Sequence, residues 1–257
     1  WGEAEPLYAE ALEIQRRVLG VEHPDTSKTM NNLGYVYLQQ RRYDDAEPLY
    51  LEALEIAQKA FGEEHRYTLD LMGNLGLLYK EWGRYDEAAE LFAQSLETRR
   101  RVTGPEHPRT IQTMDDLAQI YLRQGMLDQA RPLVRELLDL GRARAESPDA
   151  TAGDKNAHAW RLLTCEPDDL RDPDLALELA LEANEMTGHA DPNLLDTLSL
   201  AYHLTGDTAK AIENQRMAVD LLPPGDSDFR ADMESTLAEF EAALADDPER
   251  EGVMDDG

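Results

Sequence analysis

The chain has 257 residues, of which 42% are hydrophobic, 7% aromatic and 30% charged, enough apolar material for a thin continuous core and too much for a disordered chain. Its net charge of -28 at pH 7 repels phosphate backbones and anionic lipid, which argues against nucleic acid and membrane surfaces as partners and favours basic or neutral protein. No apolar run approaches the length of about 18 residues that a membrane span needs.

In chain order, the first residues, Trp1 to Glu5, carry neither an initiator Met nor a basic leader, so the sequence is expected to be part of a longer protein. Shifting the chain against itself by 42 residues then superposes Ala4, Ala46, Ala88 and Ala130; Leu7, Leu49, Leu91 and Leu133; Tyr8, Tyr50, Phe92 and Val134; and Leu12, Leu54, Leu96 and Leu138. A second ladder runs through Leu33, Leu75 and Leu117, Gly34, Gly76 and Ala118, and Tyr37, Tyr79 and Tyr121. Both ladders follow helical spacing, as in Met30, Leu33, Gly34 and Tyr37, so each unit predicts two helices and no stretch alternates like a strand.

Gly20, Gly62 and Gly104 are expected to close the second helices in left-handed caps, and Pro24 and Pro108, with Arg66 in the middle unit, to open the next first helices. Asp44 and Glu47 have the spacing of a capping box. The small residues Gly34, Gly76, Ala118, Ala46, Ala88 and Ala130 are expected where paired helices cross. Residues 1–19 predict a second helix without its first, which leaves Leu7, Tyr8, Ala11 and Leu12 as an uncovered apolar stripe and predicts self-association through that end.

These ladders resemble the tetratricopeptide repeat. The 42-residue period, with Glu22-His23-Pro24-Asp25-Thr26, Glu106-His107-Pro108-Arg109-Thr110 and Asn31-Asn32-Leu33-Gly34, is similar to the long variant found in kinesin light chains and in many bacterial proteins. The resemblance implies an all-α, right-handed superhelical solenoid of antiparallel helix pairs, with long units over residues 1–140 and the first of them truncated.

Beyond Leu140 the ladder slips, and residues 141–156 read as an irregular connector, either a loop or a frayed extension of the preceding helix. Two further units are expected over 157–224. One has Trp160-Arg161-Leu162-Leu163 on its first helix and Leu175 to Ala183 on its second. The other carries Leu198, Ser199, Tyr202, Gly206, Ala211, Ala218 and Pro223. Phe229, Met233, Leu237, Phe240 and Leu244 predict a capping helix within 225–246, and the acidic residues 247–257 predict disorder. Residues 162–176, from Leu162-Leu163-Thr164-Cys165-Glu166-Pro167 onward, resemble the repeat region that follows planctomycete-type bacterial serine/threonine kinases. That resemblance implies a regulatory or substrate-docking arm, although no glycine-rich loop, His-Arg-Asp or Asp-Phe-Gly of a kinase is present.

No nucleophile elbow, phosphate loop or zinc-protease pattern occurs, so no catalysis, cofactor or metal is expected of this chain. His23, His65 and His107 recur at the repeat period as helix-start residues, too far apart to share an ion. The lone Cys165 allows no internal disulfide and fits a reducing, cytoplasmic setting as a small buried residue. Glu13 with Arg17, Glu55 with Lys59 and Glu97 with Arg101 read as ion pairs on an outer, solvated face.

The resemblance also places a peptide-binding groove along the first helices, at Lys28, Asn32, Tyr35 and Gln39; Asp70, Asn74, Leu77 and Glu81; and Gln112, Asp116, Gln119 and Arg123. Asn32, Asn74 and Asp116 stand at equivalent points, where amides and a carboxylate can bond an extended peptide backbone. The acidic lining predicts peptides containing Lys or Arg. Three roles remain open: a protein-interaction scaffold, a kinase docking arm and a self-association module.

Overall fold

The computed structural model describes residues 2–222 and 227–246. Trp1, Pro223 and the acidic segment 247–257, for which expectations were stated above, lie outside the described residues. Among the described residues there are twelve α-helices, one short 3-10 turn and no strand. The chain divides into two compact units, residues 1–133 and 134–257, with the division inside the seventh helix.

In the first unit, α1 (Ala4–Val18), α2 (Pro24–Gln39), α3 (Tyr43–Phe61), α4 (Arg66–Trp82), α5 (Tyr85–Val102) and α6 (Pro108–Arg123) run to the start of α7 (Leu127–Ala145). Each second helix packs on the first helix of its own pair and on that of the next: α3 touches α2 and α4, and α5 touches α4 and α6. The three repeated histidines begin the first helices in one way. The Nδ1 of His23, His65 and His107 accepts from the backbone N–H of Asp25, Tyr67 and Arg109 at 3.1, 3.2 and 3.2 Å, satisfying an amide that the first turn leaves without a partner.

The glycine after α3 differs from expectation. Gly62 has φ 90° and ψ 168°, a positive-φ extended conformation open in practice only to glycine, instead of a left-handed helical cap. Its carbonyl accepts from the buried Thr68 Oγ1 at 2.8 Å, and Gly20 and Thr26 repeat the latch at 2.9 Å. The close approach within pairs is as expected: Ala46 and Ala88 are fully buried, and a Cβ on Gly76 would stand 2.9 Å from the Phe92 ring.

The expected capping box at Asp44 and Glu47 is replaced by a different device. Arg42, at the start of α3, makes no side-chain cap but bonds Asp45 and, on α1, Glu5, each at 2.8 Å. Its guanidinium lies over the Tyr37 ring at 4.2 Å. One unit later Arg84 lies 4.3 Å over Tyr79 and bonds Glu47 at 2.8 Å, and the Tyr79 hydroxyl donates to the same carboxylate. Glu47 is thus occupied between units and cannot turn back to cap its own helix. The outer pairs differ in part too. Glu55 and Lys59 pair at 2.8 Å, while Lys59 also reaches Glu22 and Arg101 reaches Glu64 on the preceding loop.

On α1 the expected stripe shifts. Leu12 is buried, 5% exposed, on the side that α2 covers, whereas Leu7, Ile14 and Val18 are 68%, 44% and 68% exposed. Ile56, the equivalent of Ile14 one unit on, is only 4% exposed because α2 and α4 flank α3.

In the second unit, α7 continues through Gly141 to Ala145, and α8 (Ala152–Thr164) begins soon after, so the irregular stretch expected over 141–156 narrows to 146–151. Gly141 lies within this helix with His158 packed against it: a Cβ there would come within 2.7 Å of the imidazole Nδ1, so the close approach needs a glycine. Thr151 and Asp154 form a true capping box. The Thr151 backbone and hydroxyl, with Arg144, hold the Asp154 carboxyl down to about 2. A 3-10 turn (Asp168–Leu170) leads to α9 (Pro173–Thr187), which pairs with α8, and α10 (Pro192–Leu204) pairs with α11 (Thr208–Leu221). Cys165, just after α8, is half-buried. The last helix, α12 (Ser227–Ala245), covers α11 with Met233 and Phe240, 2% and 3% exposed.

Candidate functional site

The expected groove positions lie on α2, α4 and α6 and are not equivalent in their surroundings. Lys28, Asn32, Tyr35, Gln39, Glu81, Gln112, Gln119 and Arg123 are exposed, Asp70, Asn74 and Leu77 are half-buried, and Asp116 is buried at 5%. Burial divides them by the partners they have found. Asp116 Oδ1 accepts from Lys80 Nζ at 2.9 Å and its Oδ2 from Gln112 Nε2 at 3.2 Å, while Lys80 also bonds Gln119 Oε1 at 2.9 Å. One lysine of α4 is thereby shared by two residues of α6, fixing the spacing of neighbouring first helices. Asn74 Nδ2 donates to Asn31 Oδ1 at 2.8 Å, so the amide contact between α4 and α2 uses Asn31 and not the exposed Asn32.

Asp70 is held from the second helix. Arg99 of α5, 3% exposed, donates from Nη2 to Asp70 Oδ1 at 2.9 Å and from Nε to Ser95 Oγ at 3.2 Å. A buried charge is tolerated only when paired and hydrogen-bonded, and both conditions are met here. Tyr67 at the start of α4 shares a 3.0 Å hydrogen bond with Ser27 of α2, and burial raises its phenol pKa against that bond.

Around these groups lies a cleft of about 250 Å³ between α4 and α6, lined among others by Asn31, Asp70, Gly73, Asn74, Leu77, Phe92, Arg99, Arg109, Gln112 and Asp116. Five expected positions, Asp70, Asn74, Leu77, Gln112 and Asp116, meet there. The remaining seven do not line it. Asn31, Gly73, Arg99 and Arg109 line it too and were not among the expected groove positions. Arg99 stands where the neighbouring units have Ala57 and Gly141, and Gly73 where they have Asn31 and Asp115; these breaks in the ladder are the signals that mark them.

Among the described residues no group of three or more His, Cys, Asp or Glu is disposed to hold a metal, and no helix is long and apolar enough to cross a membrane. Chemically the cleft is a hydrogen-bonding surface rich in acceptors, with an apolar floor and its charges largely paired.

Comparison with solved structures places the fold. The chain is similar to BtubC (BKLC) from P. vanneervenii, with 21% identity, a TM-score of 0.62, and coverage of 85% of this chain and 90% of that one. It is similar to a putative kinesin light chain from Podosopora anserina with nearly identical TPR-like repeats, at 21% identity and a TM-score of 0.58 over 77% of this chain and 96% of that one. Yeast Tom70 aligns at 14% identity and a TM-score of 0.55, covering 91% of this chain and 43% of that one. A search of curated proteins gave no match. The tetratricopeptide repeat sequence profile matches residues 1–58, 25–101 and 83–143, together more than half of the 257 residues, and the chain therefore belongs to the tetratricopeptide repeat family.

Proposed function

We propose that this chain is a protein-interaction scaffold that binds an extended peptide along the groove of α2, α4 and α6 and carries out no catalysis itself. The observation that carries this reading is the cleft between α4 and α6, where five of the expected positions converge on one acceptor-rich surface. Family membership supports the same role. A peptide containing Lys or Arg suits the groove because the chain's net charge of -28 attracts it and because backbone amides and cationic heads both donate hydrogen bonds.

Isothermal titration against a library of basic and acidic peptides tests the reading. Asn32→Ala with Asn74→Ala is expected to cost about 1 to 3 kcal/mol for each peptide group left without its partner. Salt is expected to weaken binding. An acidic peptide that binds more tightly than every basic one, or undiminished affinity in the double variant, would exclude this groove as the binding site.

The exposed Leu7, Ile14 and Val18 support a second reading, in which α1 associates with another copy of the chain.

A further inference from the structure

We infer that the cleft over Gly73 is a side-chain pocket that seats one lysine or arginine of the bound peptide, its methylenes over Gly73 and Leu77 and its cationic head on Asp70 and Asp116. The inference rests on the groove reading above and adds to it which side chain is selected, and where.

Glycine within a helix is unfavourable relative to alanine, because it has more backbone freedom to lose on folding. Gly73 sits in the middle of α4, so its presence needs a physical reason. Packing supplies none: a Cβ at Gly73 would meet nothing within 4 Å, whereas at Gly76, one turn further on, it would strike the Phe92 ring. Backbone conformation supplies none either, since Gly73 is not among the positive-φ glycines. The neighbouring units carry Asn31 and Asp115 at this position. The middle unit alone has lost the side chain that would project there, and the cleft of about 250 Å³ lies at that point.

The lining selects the guest. Asp70 and Asp116 each have one oxygen engaged, by Arg99 and by Lys80. Their second oxygens are less committed: Asp116 Oδ2 holds a 3.2 Å bond from Gln112, and Asp70 Oδ2 is 4.0 Å from the exposed Arg66. A carboxylate oxygen has two lone pairs, so both can accept from a further donor. Gly73, Leu77 and Phe92 offer an apolar surface suited to an alkyl stem below a charged head. Buried Arg99 is already bonded to Asp70 and Ser95, so it balances the acids and does not serve as an anion anchor. The exposed Arg109 also lines the cleft, so an acidic guest would face two carboxylates against one open guanidinium, and an aliphatic one would cover acceptors without supplying donors.

Titration calorimetry with three nine-residue peptides tests the assignment: a Ser/Ala background with a central Lys, norleucine or Glu, against the wild-type chain, Gly73→Ala and Gly73→Leu. The Lys peptide is expected to bind best. Gly73→Ala is expected to raise the thermal midpoint by a few degrees while weakening the Lys peptide by about tenfold, the scale of one lost hydrogen bond to a charged group. Gly73→Leu is expected to remove binding while the helix is kept. Equal affinity for Lys and norleucine, or full affinity in both Gly73 variants, overturns the pocket and leaves the groove standing. No heat from any of the three peptides on the wild-type chain overturns the groove reading and the pocket with it.

Discussion

Two glycines three residues apart on α4 offer a direct measurement of what holds a helix pair together. Both lie in the interior of a 17-residue helix, so replacing either by alanine brings the same intrinsic gain, about 1 kcal/mol. Only their surroundings differ. At Gly73 the new methyl meets nothing, so the full gain is expected. At Gly76 it would lie 2.9 Å from Phe92 Cε2 and 3.0 Å from Cζ, and the ring, 2% exposed, can yield only toward the cleft that it lines. Overpacking of this kind costs about 1 to 3 kcal/mol. The two variants are therefore expected to differ by that amount, with Gly76→Ala between neutral and about 2 kcal/mol less stable than the parent. Urea unfolding followed by circular dichroism reads the difference, and Phe92→Leu introduced into Gly76→Ala should recover part of the loss. Equal stability of the two alanine variants would refute the claim that the Gly76–Phe92 contact sets the spacing of α4 and α5.

Three further expectations concern other parts of the chain. His158 is 2% exposed with neither ring nitrogen hydrogen-bonded; burial, helped by Arg142 and Arg161 and opposed by Glu146, lowers its pKa below the ordinary value. Its neutral form is thus the folded one, and its contribution is complete above the unfolded value of about 6.5 and lost as pH falls below it. Thermal melts from pH 7.5 to 5 should show this loss and His158→Leu should reduce it; an unchanged slope in the variant would rule out the residue as its source. Arg84→Ala removes a stack on Tyr79 and bonds to Glu47 and Glu87, and is expected to lower the urea midpoint slightly, as for a solvent-screened pair; no change would mean that the interaction is screened out. Light scattering over a concentration series should detect association through α1, and Leu7→Glu with Val18→Glu should abolish it. A chain that stays monomeric at high concentration would remove the second reading.

The helices were legible because the ladder at a shift of 42 residues repeats the same burial pattern, so Ala46, Tyr50 and Gly76 could be placed from spacing alone. The histidines were legible as helix-start residues, but that their Nδ1 atoms accept the cap bond depends on side-chain geometry. What escaped were interactions that lie outside the ladder. Asp44 and Glu47 had local capping spacing, yet Glu47 is taken by Tyr79 and Arg84, 32 and 37 residues away. Asp70 and Asp116 were read as open groove positions, while Arg99 and Lys80, 29 and 36 residues from them, draw them into ion pairs that no period predicts. Gly141 was read into the irregular connector because its fit to the buried His158 is a tertiary contact.

The ties between Glu5 and Arg42, Glu47 and Arg84, Glu22 and Lys59, and Glu64 and Arg101 all span 37 residues. A gene that duplicates or loses one 42-residue segment brings each donor back beside an acceptor at the same separation. Array length can therefore drift in evolution without redesign of the joints. Gly73 has no counterpart in the adjoining segments, so copying the segment that holds it would add a second pocket one repeat along, whereas copying another would move the existing pocket relative to the ends. Segment gain and loss would thus change how many basic side chains a ligand must present, and how far apart.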